Sequence, residues 1–357
     1  MPKFHRLFAR PLACALTVTS SMAVTHSVSA HHPGGTGNIG GAGPINTVSA
    51  TTLPQGVSAA GVTYEYTSLS GLNDRDLIEA AERGEHAHSI ATISSPAVSF
   101  AYGLTGDITL SVRLPYVIRT DIREGAHDHG GAHAGGHGAE VVRRGDADGF
   151  GDASALAQWR VLNNESSGTS AALLLGVKAP TGRTDQNDDH GERFEAEFQA
   201  GTGSWDGMFG LALTQRLGKW SLDGNVLYTS VSEGTQATDL GDRFHYNAAI
   251  SYRVLGAAQS ITHQHADGTI ETHSQPASGP AVDLALELNG EWHDKQVIAG
   301  ESDANSGGNV TYISPGVRVS VDKWSGFVSV GVPVINDLNG LQSEPDVRVT
   351  TGVGVSF

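Results

Sequence analysis

From Glu124 to Gly138 the chain reads EGAHDHGGAHAGGHG, which strings His127, His129, His133 and His137 on glycine and alanine, with Asp128 between the first two. Neutral imidazole is a good ligand for Zn, Cu, Ni and Co ions, and a carboxylate adds an oxygen donor. A glycine-rich chain can wrap several donors around one ion, but ordering it costs entropy, so modest affinity and fast exchange are expected. Such a segment suits capture or sensing of a divalent ion; the plainer reading is a solvated low-complexity loop.

Further histidines extend the pattern. Glu82, Glu85, His86 and His88 follow a predicted short helix, DLIEAAERG, which Gly84 ends, and Asp188 and Asp189 precede His190. The stretch ITHQHADGTIETHS carries His263, His265 and His273 and predicts a small hairpin about Asp267-Gly268, which would bring His263 or His265 towards His273. His31 and His32, at a free amino terminus, could form a copper chelate; the plainer reading is an ordinary mobile terminus. None of these groups makes a cofactor obligatory.

The elements that would carry these residues begin after an export signal. Lys3, Arg6 and Arg10 give a basic start, Leu12 to Val24 a short apolar run, and Val28-Ser29-Ala30 a cleavage site, so residues 1–30 are expected to be removed. The only cysteine, Cys14, would leave with them, excluding a disulfide framework and a thiolate site from the mature chain. Without those three cations the 22 basic residues become 19 against 38 acidic ones, a formal charge of -19. That balance argues against nucleic acid as a partner and favours cations.

Past residue 58 apolar residues recur at every second position. Val347, Val349, Val353, Val355 and Phe357 alternate with Arg348, Thr350, Gly352, Gly354 and Ser356; Ile108, Leu110, Val112 and Leu114 alternate with Thr109, Ser111 and Arg113. The polar rows hold Glu65, Arg113, Arg160, Lys178, Asp223, Arg253, Asp283, Glu287, Glu291, Arg318 and Arg348, charges that a soluble sandwich core could not accept. Lipid on one face and a lumen on the other accommodate both rows. Aromatics such as Tyr64, Tyr66, Tyr102, Trp159, Trp220, Tyr228 and Trp292 fit membrane-interface girdles. The fold class is therefore all-β: a transmembrane, antiparallel, up-and-down β-barrel of about twelve strands in the outer membrane of a Gram-negative bacterium. The eleven charges are expected to pair across strands and stiffen the wall, and to set charge selectivity if water passes.

Strands are expected near 59–68, 92–103, 107–118, 152–162, 169–179, 203–216, 219–231, 243–255, 281–292, 309–321, 324–335 and 346–357. Short connections then alternate with longer ones at 69–91, 119–151, 180–202, 232–242, 293–308 and 336–345, which belong outside. The histidine-rich insert 119–151 is thus predicted to be a surface loop, and the insert 256–280 a long periplasmic one. Residues 31–58 read as a flexible glycine-rich segment that could lie in the barrel mouth as a plug. The final strand, ending at Phe357, is expected to be read by the outer-membrane assembly machinery.

Some motifs lead nowhere. GTGNIG at 35–40 matches a dinucleotide fingerprint but follows no strand, and GDADGFGD at 145–152 has Phe150 where a calcium loop needs a ligand. No nucleophile and base can be paired from spacing, and Asp188, Asp189 and His190 are the faintest hint of hydrolytic chemistry, so no enzyme is expected.

The stretches AYGLTGDITLSVRLPYVIR, GFGDASALAQWRVL, VKAPTGRTD, GSWDGMFGLALTQRLGKWSLDGNVLYTSV and GDRFHYNAAISYRVL resemble the outer-membrane transporters of the phenol-degradation (MetA-pathway) family, over residues 96–255. The resemblance implies a pore or transporter for aromatic or other small hydrophobic compounds and brings no catalytic residues. The histidine-rich inserts depart from it and point to an outer-membrane channel for small solutes whose loops bind divalent transition metals. The alternatives are a transporter of small hydrophobic compounds with incidental histidines, or a non-conducting surface metal-binding barrel.

Overall fold

Alternation of apolar and polar residues gives each strand one face for lipid and one for the lumen, and the computed structural model shows both. It describes residues 43–85, 87–127, 138–256, 259–264, 270–275 and 279–357. Twelve antiparallel strands close into a barrel: β1 (Ser58–Ser70), β2 (Thr92–Thr105), β3 (Ile108–His127), β4 in two parts (Ala139–Phe150 and Ala153–Asn164), β5 (Thr169–Ala179), β6 (Asp206–Leu217), β7 (Trp220–Ser230), β8 (Arg243–Leu255), β9 (Ala281–His293), β10 (Gly308–Val321), β11 (Trp324–Leu338) and β12 (Glu344–Ser356). Neighbours in sequence are neighbours in space, and β1 pairs with β12 to close the ring. At that seam Phe357 and Ser58 exchange both backbone hydrogen bonds at 2.8 Å.

Val62, Val98, Val112, Leu175, Leu211, Leu286 and Val353 stand outward and exposed, while Glu65, Ser111, Arg113, Asp223, Ser251, Asp283 and Thr350 are buried inward. In water such an outer face would be a large aggregation-prone patch; in lipid it is the solvent-matched surface. No helix among the described residues is long and apolar enough to cross a membrane, so the strands do the crossing. Girdles follow from register: Phe209, Tyr228, Phe244 and Trp292 lie directly opposite one another across four strands, and at the other end Trp220 stacks on Tyr252 at 4.5 Å.

The insert 119–151 corrects the predicted loop. β3 continues to His127 and pairs with Ala139–Phe150, so a tall hairpin rises above the barrel. The charges and glycines of this stretch hid the strands because both faces here are outside lipid, where no alternation is required. Asp121, at φ +53°, marks a bulge that lets both Arg119 and Ile122 face inward. The insert 256–280 forms the expected hairpin, Gln259–Gln264 with Ile270–Gln275, but its register sets His263 opposite Glu271 and His273 opposite Ile261. No two of its histidines are therefore directly paired among the described residues. Helix α1 (Asp74–Glu82) lies in the first outer loop, capped by the Asn73 side chain on the Asp76 N–H, with Gly84 at φ +72° beyond it.

Candidate functional site

Two constructions built from side chains stand out: a strap threaded through the lumen and a carboxylate-imidazole cluster at the outer rim. The strap is residues 43–57. Glu287, 2 % exposed on the inner face of β9, accepts the backbone N–H groups of Ile45, Asn46 and Thr47 and the Thr47 hydroxyl. Three successive N–H groups on one carboxylate form a nest with the roles reversed, the anion belonging to the wall. Arg318 donates to the carbonyls of Gly43 and Pro44. Further along, Asn225 accepts from the Val48 N–H (2.9 Å), Thr214 from Ala50 (2.8 Å) and Thr109 from Leu53 (2.8 Å), while the Gln158 amide donates to the carbonyls of Ser49 and Thr51. Asp223 accepts the Thr214 hydroxyl proton at 2.6 Å, which turns the hydroxyl oxygen's lone pairs towards the strap. Val48 and Ala50 pack on Leu156, Ala172, Leu174, Ala212 and Leu227. Sequence reading treated every inward row as polar; the apolar inward patch at Ala172 and Leu174 exists because it faces the strap rather than water.

At the periplasmic end Gly103 touches the strap: a Cβ there would meet the carbonyl of Pro54 well inside contact distance. Gly103→Val is therefore expected to displace the strap's end at a cost of about 1–3 kcal/mol of docking, seen as faster proteolysis between residues 43 and 57 with the barrel intact.

Most of the remaining inward charges lie against charged or aromatic neighbours. Arg253, Asp283 and Arg318 are register neighbours on β8, β9 and β10, and Arg253 holds Asp283 in a two-point pair (Nη2–Oδ2 2.9 Å). Lys178 sits between Asp152 (3.0 Å) and Asp206 (2.8 Å), Arg160 binds Asp107 at 2.7 Å beside a short turn, and Arg348 lies 4.0 Å over the Tyr312 ring. Glu291 accepts from His293 and lies 3.9 Å from His245. Glu65 on β1 and Arg113 on β3 are both buried inward, with β2 between their strands. A small cavity beside the Glu291–His293 pair is lined by Leu69, Leu240, Glu291, His293, Tyr312 and Arg348.

The rim cluster depends on the outer loop 180–205, which folds into the barrel mouth. Phe194 and Phe198 pack with Ile90, Ile93, Val117 and Ile122, and Arg119 donates to the carbonyls of Phe198 and Gln199. Gln199 braces the turn, accepting the Gln186 N–H and donating to the carbonyls of Gln186 and Phe194. The inward fold carries Glu195 and Glu197 to His88, which a two-residue strand, His88–Ser89, hydrogen-bonds to β3 beside Glu124. His88 Nε2 lies 3.0 Å from Glu124, and Nδ1 lies 3.7 Å from Glu197 Oε1 and 3.9 Å from Glu195 Oε2. Arg144 ties Glu124 to Asp188 and Glu192 of the same loop. Burial would lower the His88 pKa, yet Glu195, Glu124 and Glu197 outweigh it and push it up to about 10. Burial would raise Glu124, but His88 and Arg144 hold it down at about 2. Burial and then Glu197 push Glu195 well above the usual carboxylate range. His88 is therefore held in its protonated form at neutral pH.

Of the other histidines assigned to metal, His190 Nε2 lies 3.0 Å from the Arg143 carbonyl, with Asp188 accepting the His190 N–H. His127 ends β3. His31, His32, His86, Asp128, His129, His133, His137 and His265 lie outside the described residues. Glu124, Glu195 and Glu197 were not singled out from sequence. The i, i+2 spacing of Glu195 and Glu197 between Phe194 and Phe198 was the available signal, but nothing in it says that the loop turns inward.

The family model described as the MetA-pathway of phenol degradation matches residues 125–289. The resemblance read from the sequence is shown there, while its first stretch, before residue 125, lies outside the match. An outer membrane channel from Pseudomonas putida F1 is similar in structure, with a TM-score of 0.54 at 18% identity over 86% of this chain and 98% of that one. More distant are LpxR from Salmonella typhimurium (TM-score 0.42, 12% identity, 83% and 99% covered) and a FadL homologue from Pseudomonas aeruginosa (0.37, 8%, 93% and 98%). No curated protein sequence matches the chain.

Proposed function

We propose that this outer-membrane β-barrel, similar over residues 125–289 to the MetA-pathway family, is a channel for small solutes that its own N-terminal strap plugs, and that its histidine-rich segments bind divalent transition-metal ions. The observation that carries the channel reading is how the strap is held. At Ile45, Asn46, Thr47, Val48, Ala50 and Leu53 its backbone N–H groups go to wall side chains. Up to its last residues, where Gly56 and Val57 bond to the Gly103 backbone, a segment held this way can leave without breaking the barrel's own ladder, unlike a thirteenth strand. Behind it lies a charged wall suited to water and ions.

A second reading, transport of small hydrophobic compounds, is favoured by Phe194, Phe198, Ile90 and Ile93 packed in the outer mouth. Planar-bilayer conductance separates the readings. A stable conductance that zinc on the loop side changes, and that loses this response when His127, His129, His133 and His137 become alanine, supports channel and metal loops together. Conductance indifferent to zinc leaves a general or hydrophobic-solute channel, and no conductance with or without the strap leaves a non-conducting metal-binding barrel.

The proposal that assembly machinery reads the last strand has its own test. Phe357 is exposed at the end of the closing seam, and Phe357→Ala is expected to lower folded barrel in outer-membrane fractions while in vitro refolding in detergent stays unchanged.

A further inference from the structure

The rim cluster has the donor set and spacing of a coordination shell. His88 is 2 % exposed and Glu197 1 % exposed, and His88 Nδ1, Glu195 Oε2 and Glu197 Oε1 are buried atoms without a hydrogen-bond partner. Their ligand atoms lie within 4.8 Å of one another. The Nδ1 distances of 3.7 and 3.9 Å are too long for hydrogen bonds. They are close to the roughly 3.4 Å that separates two ligands of a tetrahedral ion with bonds of about 2.0–2.2 Å. Leaving such polar atoms buried and unpaired is costly, and one cation would satisfy all three.

The surroundings are equally specific. Glu124 engages His88 Nε2 at 3.0 Å, so the proton of an ion-bound imidazole would sit on Nε2 and the Nδ1 lone pair would be directed at Glu195 and Glu197. That is the carboxylate-histidine-metal arrangement by which a neighbouring acid fixes a ligand's tautomer and basicity. The Glu195 side chain is 39% exposed although its Oε2 is buried, which leaves a route for an ion and room for a water as fourth ligand.

We propose that His88 Nδ1, Glu195 and Glu197 form a binding site for a divalent transition-metal ion, zinc in the first instance, with Glu124 as the positioning residue behind the imidazole. One nitrogen and two carboxylate oxygens favour zinc-like ions over calcium or magnesium, which take oxygen alone. The ion staples the inward-folded loop 180–205 to the His88–Ser89 strand and so fixes the outer mouth. This deepens the metal-binding half of the reading above, on which it rests, but places the tight site away from the histidine-rich tip.

The test is zinc binding to the refolded mature barrel, followed by calorimetry with folding checked by heat-modifiable gel mobility. One tight site is expected in the parent and in the variant lacking His127, His129, His133 and His137. It is expected to be absent in His88→Gln and Glu197→Gln, and about 10–100-fold weaker in Glu124→Gln. Parent-like affinity in folded His88→Gln or Glu197→Gln overturns the site. Loss of tight binding only in the tip variant overturns it too, and leaves the histidine-rich loop as the binder. Should the rim variants not fold, X-ray absorption of the zinc-loaded parent decides: one imidazole with oxygen ligands supports the site, and two or more imidazoles sink it.

Discussion

Deleting residues 43–57 is expected to raise the single-channel conductance of the refolded barrel several-fold and to convert a mostly closed channel into a mostly open one. The argument is one of occupancy. The strap runs inside the lumen along Glu287, Asn225, Thr214 and Thr109, and its Val48 and Ala50 cover an apolar inner patch. Glu287→Leu tests the same idea without shortening the chain. It removes the acceptor of three backbone N–H groups, each of which loses a charge-assisted bond of about 1.5–3 kcal/mol. A loss of only about 3 kcal/mol in docking would raise the open-to-closed ratio roughly 100-fold, since each 1.4 kcal/mol is tenfold. Unchanged conductance in both variants, with the barrel folded, would refute the strap as a plug.

Asp283→Leu is expected to destabilise the barrel by about 3–5 kcal/mol in urea unfolding followed by tryptophan fluorescence, among the largest effects of any single wall substitution. Asp283 is 1 % exposed and separates two arginines, Arg253 and Arg318, each 5 % exposed and its register neighbour. Removing the carboxylate leaves two buried like charges facing each other, whereas removing Arg253 along with it leaves only Arg318, which the carbonyls of Gly43 and Pro44 still receive. The double variant Arg253→Leu/Asp283→Leu should therefore be more stable than Asp283→Leu alone. Simple additivity of the two single losses would show that the pair does not act as a unit.

The sequence by itself determined the barrel. Period-2 alternation set every strand but β3 and β4 within about three residues, β5 and β8 to the residue, because a strand between lipid and lumen cannot slip by one position without turning charges such as Asp283 into hydrocarbon. The same rule failed where the lipid ended: Ala139–Phe150 is strand above the membrane, where neither face is constrained and no pattern is written. The inward charges were legible as a row, but not their pairing, which depends on the offset between neighbouring strands.

What only the tertiary structure decided are the contacts that cross the lumen. Nothing near Glu287 in sequence indicates that it binds residues 45–47, some 240 positions away. The conspicuous histidines drew attention to 127–137, yet the imidazole with a prepared environment is His88, beside Glu124, Glu195 and Glu197. These four residues come from three separate segments, and their convergence depends on loop 180–205 turning inward over Phe194 and Phe198. Local composition can announce metal-binding side chains, but whether buried lone pairs point at one place is set by the packing that brings distant segments together.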